Sequence, residues 1–313
     1  GSGKSTFCRE VLFENLSRRL KDAQAPLVGT DQLTGFENVG RVLEVDQTPI
    51  GKNSRSCPAT YVGIMTAIRD LYAATNEAQA RGYDASRFSF NKAVGACPVC
   101  AGQGLRTVEM NFLPDVKVLC EACAGKRFNP ETLEVLWRGK SIGDVLEMEI
   151  DEAVDFFASM PSIAYPLKLM QDVGLGYLTL GQPSPTLSGG EAQRLKLVTE
   201  LAKVRTDGSF AARAPHTLYV LDEPTVGLHM TDVDRLSKVL SRLVDAGSTV
   251  VVIEHNLDIA ADADWIIDLG PEGGAKGGKV VAQGSPKMVA RKNTATGIVL
   301  RAFLAEHKPV KSA

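Results

Sequence analysis

Leu218-Tyr219-Val220-Leu221-Asp222-Glu223-Pro224 is an apolar run that stops on two carboxylates and a proline. Four consecutive apolar residues without alternation read as a strand buried on both faces, the pattern of a parallel sheet. Two acids at its carboxyl end stand where ligands bind in open α/β sheets. Asp222 is suited to a Mg²⁺ shell and Glu223 to polarising an attacking water. Without further context the same pair reads as two solvated acids at a strand end. Val250–Ile253 repeats the apolar run and leads directly into Glu254-His255. A second strand end there brings His255 beside Asp222-Glu223, within reach of a terminal phosphate.

Working outward, Gly1-Ser2-Gly3-Lys4-Ser5-Thr6 opens the chain. It reads as the end of a phosphate-binding loop. Glycines let backbone N–H groups turn onto phosphate oxygens, and the following helix adds positive potential. Lys4 is suited to the β- and γ-phosphates and Ser5 to Mg²⁺. The bland alternative is a Gly-Ser turn before a helix. The full pattern G-x-x-x-x-G-K-[ST] requires a glycine upstream of Gly1, so the chain is expected to be a fragment that starts inside its own motif. Asp46-Gln47 follows the strand-like Val39–Val45, and Leu187-Ser188-Gly189-Gly190-Glu191 comes much later. Ser188 and Glu191 also fit a capping box at the start of a plain helix. In this order, the five segments resemble an ATP-binding-cassette (ABC) ATPase. The implied cofactors are ATP and Mg²⁺. Gly1, Ser2, Gly3, Lys4, Ser5, Thr6 and Asp222 are expected at one nucleotide, with Gln47, Glu223 and His255 catalytic. In that family the Ser188-Gly189-Gly190 loop binds a nucleotide held by a partner cassette.

The chain has 313 residues, 44% of them hydrophobic, and a net charge of -2. That charge argues against a wholly basic nucleic-acid binder. No apolar run approaches the ~20 residues of a membrane span, so no membrane partner is expected. Six cysteines in a chain this long are not a disulfide framework. Cys97-x-x-Cys100 and Cys120-x-x-Cys123, with nineteen residues between the pairs, fit a four-cysteine zinc site. With sulfur in all four positions the site reads as closed and structural. Cys8 and Cys57 read as ordinary packed or free thiols. His216 and His307 read as surface residues, and His229 is left open.

Between 48 and 92 there are six basic residues against three acidic, a local net of +3. Tyr83, Phe88 and Phe90 interleave with them. Arg81, Arg87 and Lys92 are the candidate DNA contacts, to phosphates rather than bases. A solvated surface is the alternative.

Further stretches carry a narrower resemblance. Gln47-Thr48-Pro49-Ile50-Gly51, Arg81-Gly82-Tyr83, Arg87-Phe88-Ser89-Phe90-Asn91, Ala192-Gln193-Arg194 after the signature, Gly227-Leu228-His229, Ile253-Glu254-His255-Asn256-Leu257 and Asp268–Gly274 resemble the carboxyl-terminal half of the UvrA family, the ABC ATPases of the excinuclease ABC system. Ordinary transporter cassettes lack the four-cysteine module. The resemblance implies a bacterial cytoplasmic ATP hydrolase of nucleotide excision repair. Such a protein binds damaged double-stranded DNA as a homodimer, loads UvrB, and carries a first ABC cassette in the same chain. It also implies Zn²⁺ near the DNA. Val226 departs from the family's usual Thr-Thr-Gly-Leu-His, and residues 204–216 look long for the link they form. Both leave open a UvrA-like paralogue that resists DNA-binding drugs. An exporter ATPase is the more distant alternative.

The expected fold is α/β, an ABC-type P-loop ATPase cassette with a large signature and zinc-module insertion. Residues 1–51 form the first part of the core and 52–180 the insertion, with its zinc module at 95–128. Residues 181–292 form the second part of the core, and 293–313 a loose tail. Helices are expected over 4–20 (with Phe7, Val11, Leu12, Leu16 and Leu20 on one face), 59–75, from Ser141, 151–175, 190–203 and 231–245. Strand-like stretches are expected at Leu105–Phe112 and Val116–Leu119.

Overall fold

The computed structural model describes residues 2–51, 53–108, 116–203, 215–274 and 277–306. They form two compact units, Gly1–Asp46 with Lys203–Ala313, and Gln47–Ala202. The second unit is wider at both ends than the expected insertion. Local contacts explain this. Lys196 Nζ donates to Thr48 O and to Thr48 Oγ1, both at 2.8 Å, and so ties the signature helix to the segment after Gln47.

The first unit is built on a three-stranded parallel sheet with Thr217–Asp222 in the centre, between Arg41–Val45 and Thr249–Ile253. Val45 pairs with Leu221, and Asp222 with Ile253. The central strand is buried from Thr217 to Leu221, as its unbroken apolar run requires. Leu218 and Val220 share one face and pack with Leu16, Leu12 and Phe13. The segment opening this unit is not a single α-helix. Thr6–Phe13 has π-type hydrogen bonding and passes into the α-helix Glu14–Arg19. The altered pitch leaves Phe7 48% exposed while Leu16 is 1% exposed, so the expected single apolar face does not hold. The amphipathic helix Met230–Asp245 buries Val233, Leu236, Val239, Leu240 and Leu243.

The antiparallel pair Ile266–Gly270 and Lys279–Gly284 completes the unit with Pro286–Val289 and Ala295–Glu306. The expected loose tail is thus corrected over 295–306, which is helical. Leu300 is fully buried, and Leu304, four residues on and so on the same helix face, packs against the same cluster of Ala282, Val289 and Ala290. Residues 204–214 and 307–313, including His307, lie outside the described residues.

The second unit is mainly helical, with two small hairpins. The expected helix over 59–75 is two helices, Pro58–Tyr61 and Ile64–Ala73. Gly63 at φ 89° breaks them, a conformation that glycine adopts without strain. The expected run 151–175 likewise divides into Ile150–Phe156 and Pro161–Asp172. Pro161 suits a first turn, where its missing N–H costs nothing. The helix after Ser141 is Ile142–Glu147, with the capping box formed. The hairpin Leu105–Val108 with Val116–Leu119 rises from the cysteine module; residues 109–112 of the longer expected stretch lie outside the described residues. Tyr72 and Phe88 rings lie 5.7 Å apart in the core, and Tyr72 Oη donates to Lys140 O at 2.8 Å.

Gly95 allows the closest backbone approach in this unit. A Cβ there would lie 1.7 Å from Arg87 O, and backbone cannot yield as a side-chain tip can. Gly95→Ala is expected to destabilise the second unit by about 3 kcal/mol or more, the range of a forced backbone rearrangement. Urea unfolding followed by Trp137 fluorescence in a Trp265→Phe background checks this; an unchanged midpoint contradicts it.

Candidate nucleotide and four-cysteine sites

Parallel pairing brings the carboxyl ends of Thr217–Asp222 and Thr249–Ile253 to one edge of the first unit's sheet. The Ser5 hydroxyl donates to Asp222 Oδ1 at 3.3 Å, across 217 positions of sequence. Two ligands of one Mg²⁺, each at about 2.1 Å, lie roughly 3.0 Å apart, so this pair fits a shared cation. Lys4 is half-buried and its Nζ donates to Ser2 Oγ at 3.3 Å. Gly3 has φ 83°, and Phe7 N donates to Gly3 O at 2.9 Å, which closes the turn into the helical segment. Thr6 is exposed at its start, and Gly1 lies outside the described residues.

Glu223 follows Asp222 at φ 46°, left-handed for a residue with a Cβ. Such a conformation costs about 1–3 kcal/mol and persists only where its surroundings fix it. Here Glu223 N donates to Ile253 O at 2.9 Å. His255 Nε2 lies 3.5 Å from Glu223 Oε1. The structure thus sets Ser5 beside Asp222 and His255 beside Glu223.

Glu254 has a part the sequence reading gave it no role in. Its Oε1 accepts from Thr225 N at 2.8 Å, and its Oε2 from His255 N at 2.9 Å and Asn256 N at 3.2 Å. One carboxylate therefore ties the loop after Glu223 to the loop that carries His255. The signal was an acid between a buried strand and a histidine. Cys8 packs against the cluster of Leu16, Leu218 and Val220. Burial, and then the Asp222 charge, push its thiol up, which keeps it protonated. Cys57 is buried and opens the helix Pro58–Tyr61. His216 bonds Thr249 Oγ1 at 2.9 Å, and exposed His229 precedes the helix Met230–Asp245.

In the second unit the signature forms as a capping box. Ser188 Oγ accepts from Glu191 N at 3.3 Å, and Glu191 Oε2 from Ser188 N at 2.6 Å. Tyr177 Oη donates to Glu191 Oε1 at 2.5 Å. Burial and the Glu191 charge push the Tyr177 hydroxyl up to about 12. Burial would raise Glu191, but bonds from Tyr177 and Ser188 outweigh it and hold the carboxyl low. A Cβ on Gly189 would lie 3.0 Å from Gln47 Cβ and 3.2 Å from Gln47 O. Gln47 therefore packs against the signature loop, and Gly190 follows in the first helical turn.

The sulfurs of Cys97, Cys100, Cys120 and Cys123 all lie within 4.8 Å of one another and are buried. Sγ···Sγ is 3.9 Å for Cys97–Cys120 and 3.7 Å for Cys100–Cys123. Sulfurs on a tetrahedral Zn²⁺, each at about 2.3 Å, lie roughly 3.8 Å apart, and a disulfide would need about 2.05 Å. Gly104 N donates to Cys100 Sγ at 3.3 Å. Burial pushes Cys123 up to about 12 and raises Cys100. At Cys120 burial is outweighed by the amides of Cys123 and Ala122, and the thiol falls. Arg127 is 4% exposed beside the cluster. It donates to Ser54 O at 2.8 Å and Gly181 O at 2.6 Å, and its guanidinium lies 5.1 Å from the Phe90 ring centroid. Burial lowers its pKa, opposed by the negative field of Cys57, Cys100 and Cys123.

The candidate DNA contacts are unequally placed. Arg81 binds Glu77 Oε1 at 2.7 Å and Glu134 Oε2 at 2.6 Å. Arg87 binds Thr132 Oγ1 at 2.9 Å and lies 4.5 Å from the Tyr83 ring centroid. Both guanidiniums are engaged by this chain's own groups. Lys92 is exposed.

Comparison with known proteins agrees with this geometry. The chain is 57% identical over 305 residues to UvrABC system protein A of Thermus thermophilus, across 97% of this chain and 31% of that protein. The chain resembles a segment of UvrABC system protein A. The same protein of Bacillus subtilis is 52% identical over 309 residues, across 98% of this chain and 32% of the relative. The crystal structure of UvrA2 from Deinococcus radiodurans superposes with a TM-score of 0.83 at 47% identity, across 96% of this chain and 36% of that one. The chain thus spans about a third of the length of the relatives it matches. No protein-family model matches it. Among the described residues no helix is long and apolar enough to cross a membrane.

Glu254→Ala would leave three backbone N–H groups without their acceptor. Amide exchange is expected to rise at Thr225, His255 and Asn256 while the centre of the sheet stays protected. Unchanged exchange in both loops would contradict the role given to Glu254.

Proposed function

We propose that this chain is an ATP-hydrolysing, DNA-binding part of a UvrA-type nucleotide excision repair protein. The observation that carries the proposal is the convergence of Ser5, Asp222, Glu223 and His255 on one sheet edge. Lys4 and the backbone of the Gly3–Thr6 turn bind the phosphates of ATP. Ser5 and Asp222 would hold Mg²⁺, which when bound screens the phosphate charge. Glu223 accepts a proton from water as its oxygen attacks the γ-phosphorus and ADP leaves. His255 contacts the γ-phosphate. Ser188, Gly189 and Gly190 serve a nucleotide on another cassette, so activity depends on a first cassette of the same protein and on a homodimer.

The four cysteines would hold one structural Zn²⁺, which cross-links the two knuckles; the sulfur spacing supports this. Cys₄Zn carries a formal negative charge, and buried Arg127 compensates it. Damaged double-stranded DNA binds the second unit through phosphates. Lys92 is available for direct contact, while Arg81 and Arg87 shape the surface through their internal bonds. Loading of UvrB and a bacterial cytoplasmic location complete the reading.

Glu223→Gln is expected to keep ATP binding and to lower hydrolysis by about 10²–10⁴-fold, the range for loss of a general base. The measurement is single-turnover hydrolysis in the assembled protein with the other cassette's site disabled. Near-normal turnover rejects Glu223 as the base.

Elemental analysis is expected to give about one zinc per chain, from four ligands at one tetrahedral ion. Cys120→Ser should lose it and expose residues 95–108 to proteolysis, because metal binding and folding are linked. Metal-free protein with this segment still protected contradicts a structural zinc.

A further inference from the structure

The second unit holds a cavity of about 150 Å³ between the helix Ile64–Ala73 and the Ser89–Asn91 turn. Its polar lining is Thr60, Thr66, Arg69, Ser89 and Asn91, with the Thr60 hydroxyl already bonded to Cys57, and its apolar lining includes Met65 and Phe90. No carboxylate lines it.

The hydrogen bonds around the cavity leave donors over. Arg69 Nη2 donates to Thr66 Oγ1 at 3.0 Å, but Arg69 Nε is buried with no partner. The Thr66 hydroxyl accepts that bond and keeps its own proton to give. Ser89, 6% exposed, accepts from Asn91 N at 3.3 Å and likewise keeps its proton. The Asn91 side-chain amide has no partner among the described residues. A guanidinium is always charged and offers five donors. An unmet donor on a charged group costs more than one on a neutral group. The cavity therefore offers a cation, two hydroxyls and an amide, with no anion of its own to answer them.

We propose that this cavity receives a phosphate group, and that its occupant in the working protein is a backbone phosphodiester of DNA. The proposal rests on the DNA-binding reading above and names the contact within it. A phosphate presents acceptor oxygens in several directions, which suits donors arriving from a helix and from a turn. Arg is favoured where a phosphate is held by more than one N–H. Thr66 and Asn91 are exposed, so the cavity opens to solvent. The surrounding 48–92 segment has a local net charge of +3. Arg69 thus differs from Arg81 and Arg87, whose guanidiniums already have carboxylate partners in Glu77 and Glu134 and in Glu131.

The test is fluorescence anisotropy of a labelled duplex with zinc-loaded protein across a salt series. Arg69→Gln, Thr66→Val and Ser89→Ala are compared with the parent, and Arg291→Gln on the first unit is the control. Arg69→Gln is expected to lower affinity roughly tenfold and to make the log–log salt slope shallower by about 0.9, one phosphate contact on B-DNA. Thr66→Val and Ser89→Ala should lose less, and Arg291→Gln nothing. Equal affinity and slope for the parent and Arg69→Gln overturns the pocket and leaves the DNA reading standing. If Arg69→Gln does not fold, Arg69→Lys is read in its place: it keeps the charge but lacks Nε, and parent-like affinity with it overturns the assignment. If the parent binds no duplex, the DNA reading fails and inorganic phosphate alone decides. Phosphate that raises the parent's melting midpoint but not that of Arg69→Gln supports the pocket, since a ligand stabilises only the state that binds it. An equal shift in both, or none in either, overturns it.

Discussion

Parallel pairing of Thr217–Asp222 with Thr249–Ile253 is the constraint on which the nucleotide site depends. Antiparallel neighbours would send alternate strand ends to opposite edges of a sheet. Parallel neighbours deliver every carboxyl end to the same edge. Asp222, Glu223, Glu254 and His255 are two short runs, thirty residues apart, that meet only for this reason. Burial of Leu218–Leu221 supplies the free energy that holds them there, at about 25 cal/mol per Å² of apolar surface removed from water. Polar bonds at the edge, such as the three that Glu254 accepts, then refine geometry the sheet has already fixed.

A different logic governs the second unit. Its helices are short, and much of its order comes from polar ties between distant segments. Arg127 reaches Ser54 and Gly181, Lys196 reaches Thr48, and Arg87 reaches Thr132. A buried arginine is costly unless its donors are met and its charge is answered. Two carbonyls and a ring face meet the first need, and the nearby cysteine sulfurs can meet the second once they are thiolates. The cysteine module and the helical body around it are in this sense electrostatically matched.

Much of the site was legible in the sequence because its residues follow uninterrupted apolar runs or keep fixed spacings. The Asp222-Glu223 pair, His255, the Ser188 cap and the two Cys-x-x-Cys pairs all belong to this kind. The readings that failed depend on pitch and on partners. Nothing in Thr6–Phe13 announces π-type bonding, so Phe7 was placed on the wrong side. Gly63 and Pro161 interrupt runs whose periodicity looked continuous. A polar tail hid Leu300 and Leu304 on one helix face. Charge counting picked out Arg81 and Arg87 but could not show that Glu77, Glu134 and Thr132 bond them. Arg69 was counted with them but not distinguished, because an unmet donor is visible only once every other bond has been placed.

The bond from Glu223 N to Ile253 O closes the last regular pair of the ladder, Asp222 with Ile253, and Glu223 itself turns left-handed. The carboxylate is thereby gauged against the neighbouring strand rather than against its own loop. Side chains alternate between faces along a strand, so a slip of one residue would point every one of them the wrong way. The sheet thus works as a ruler whose smallest division is a whole residue. A change in register would therefore remove Glu223 from the site altogether.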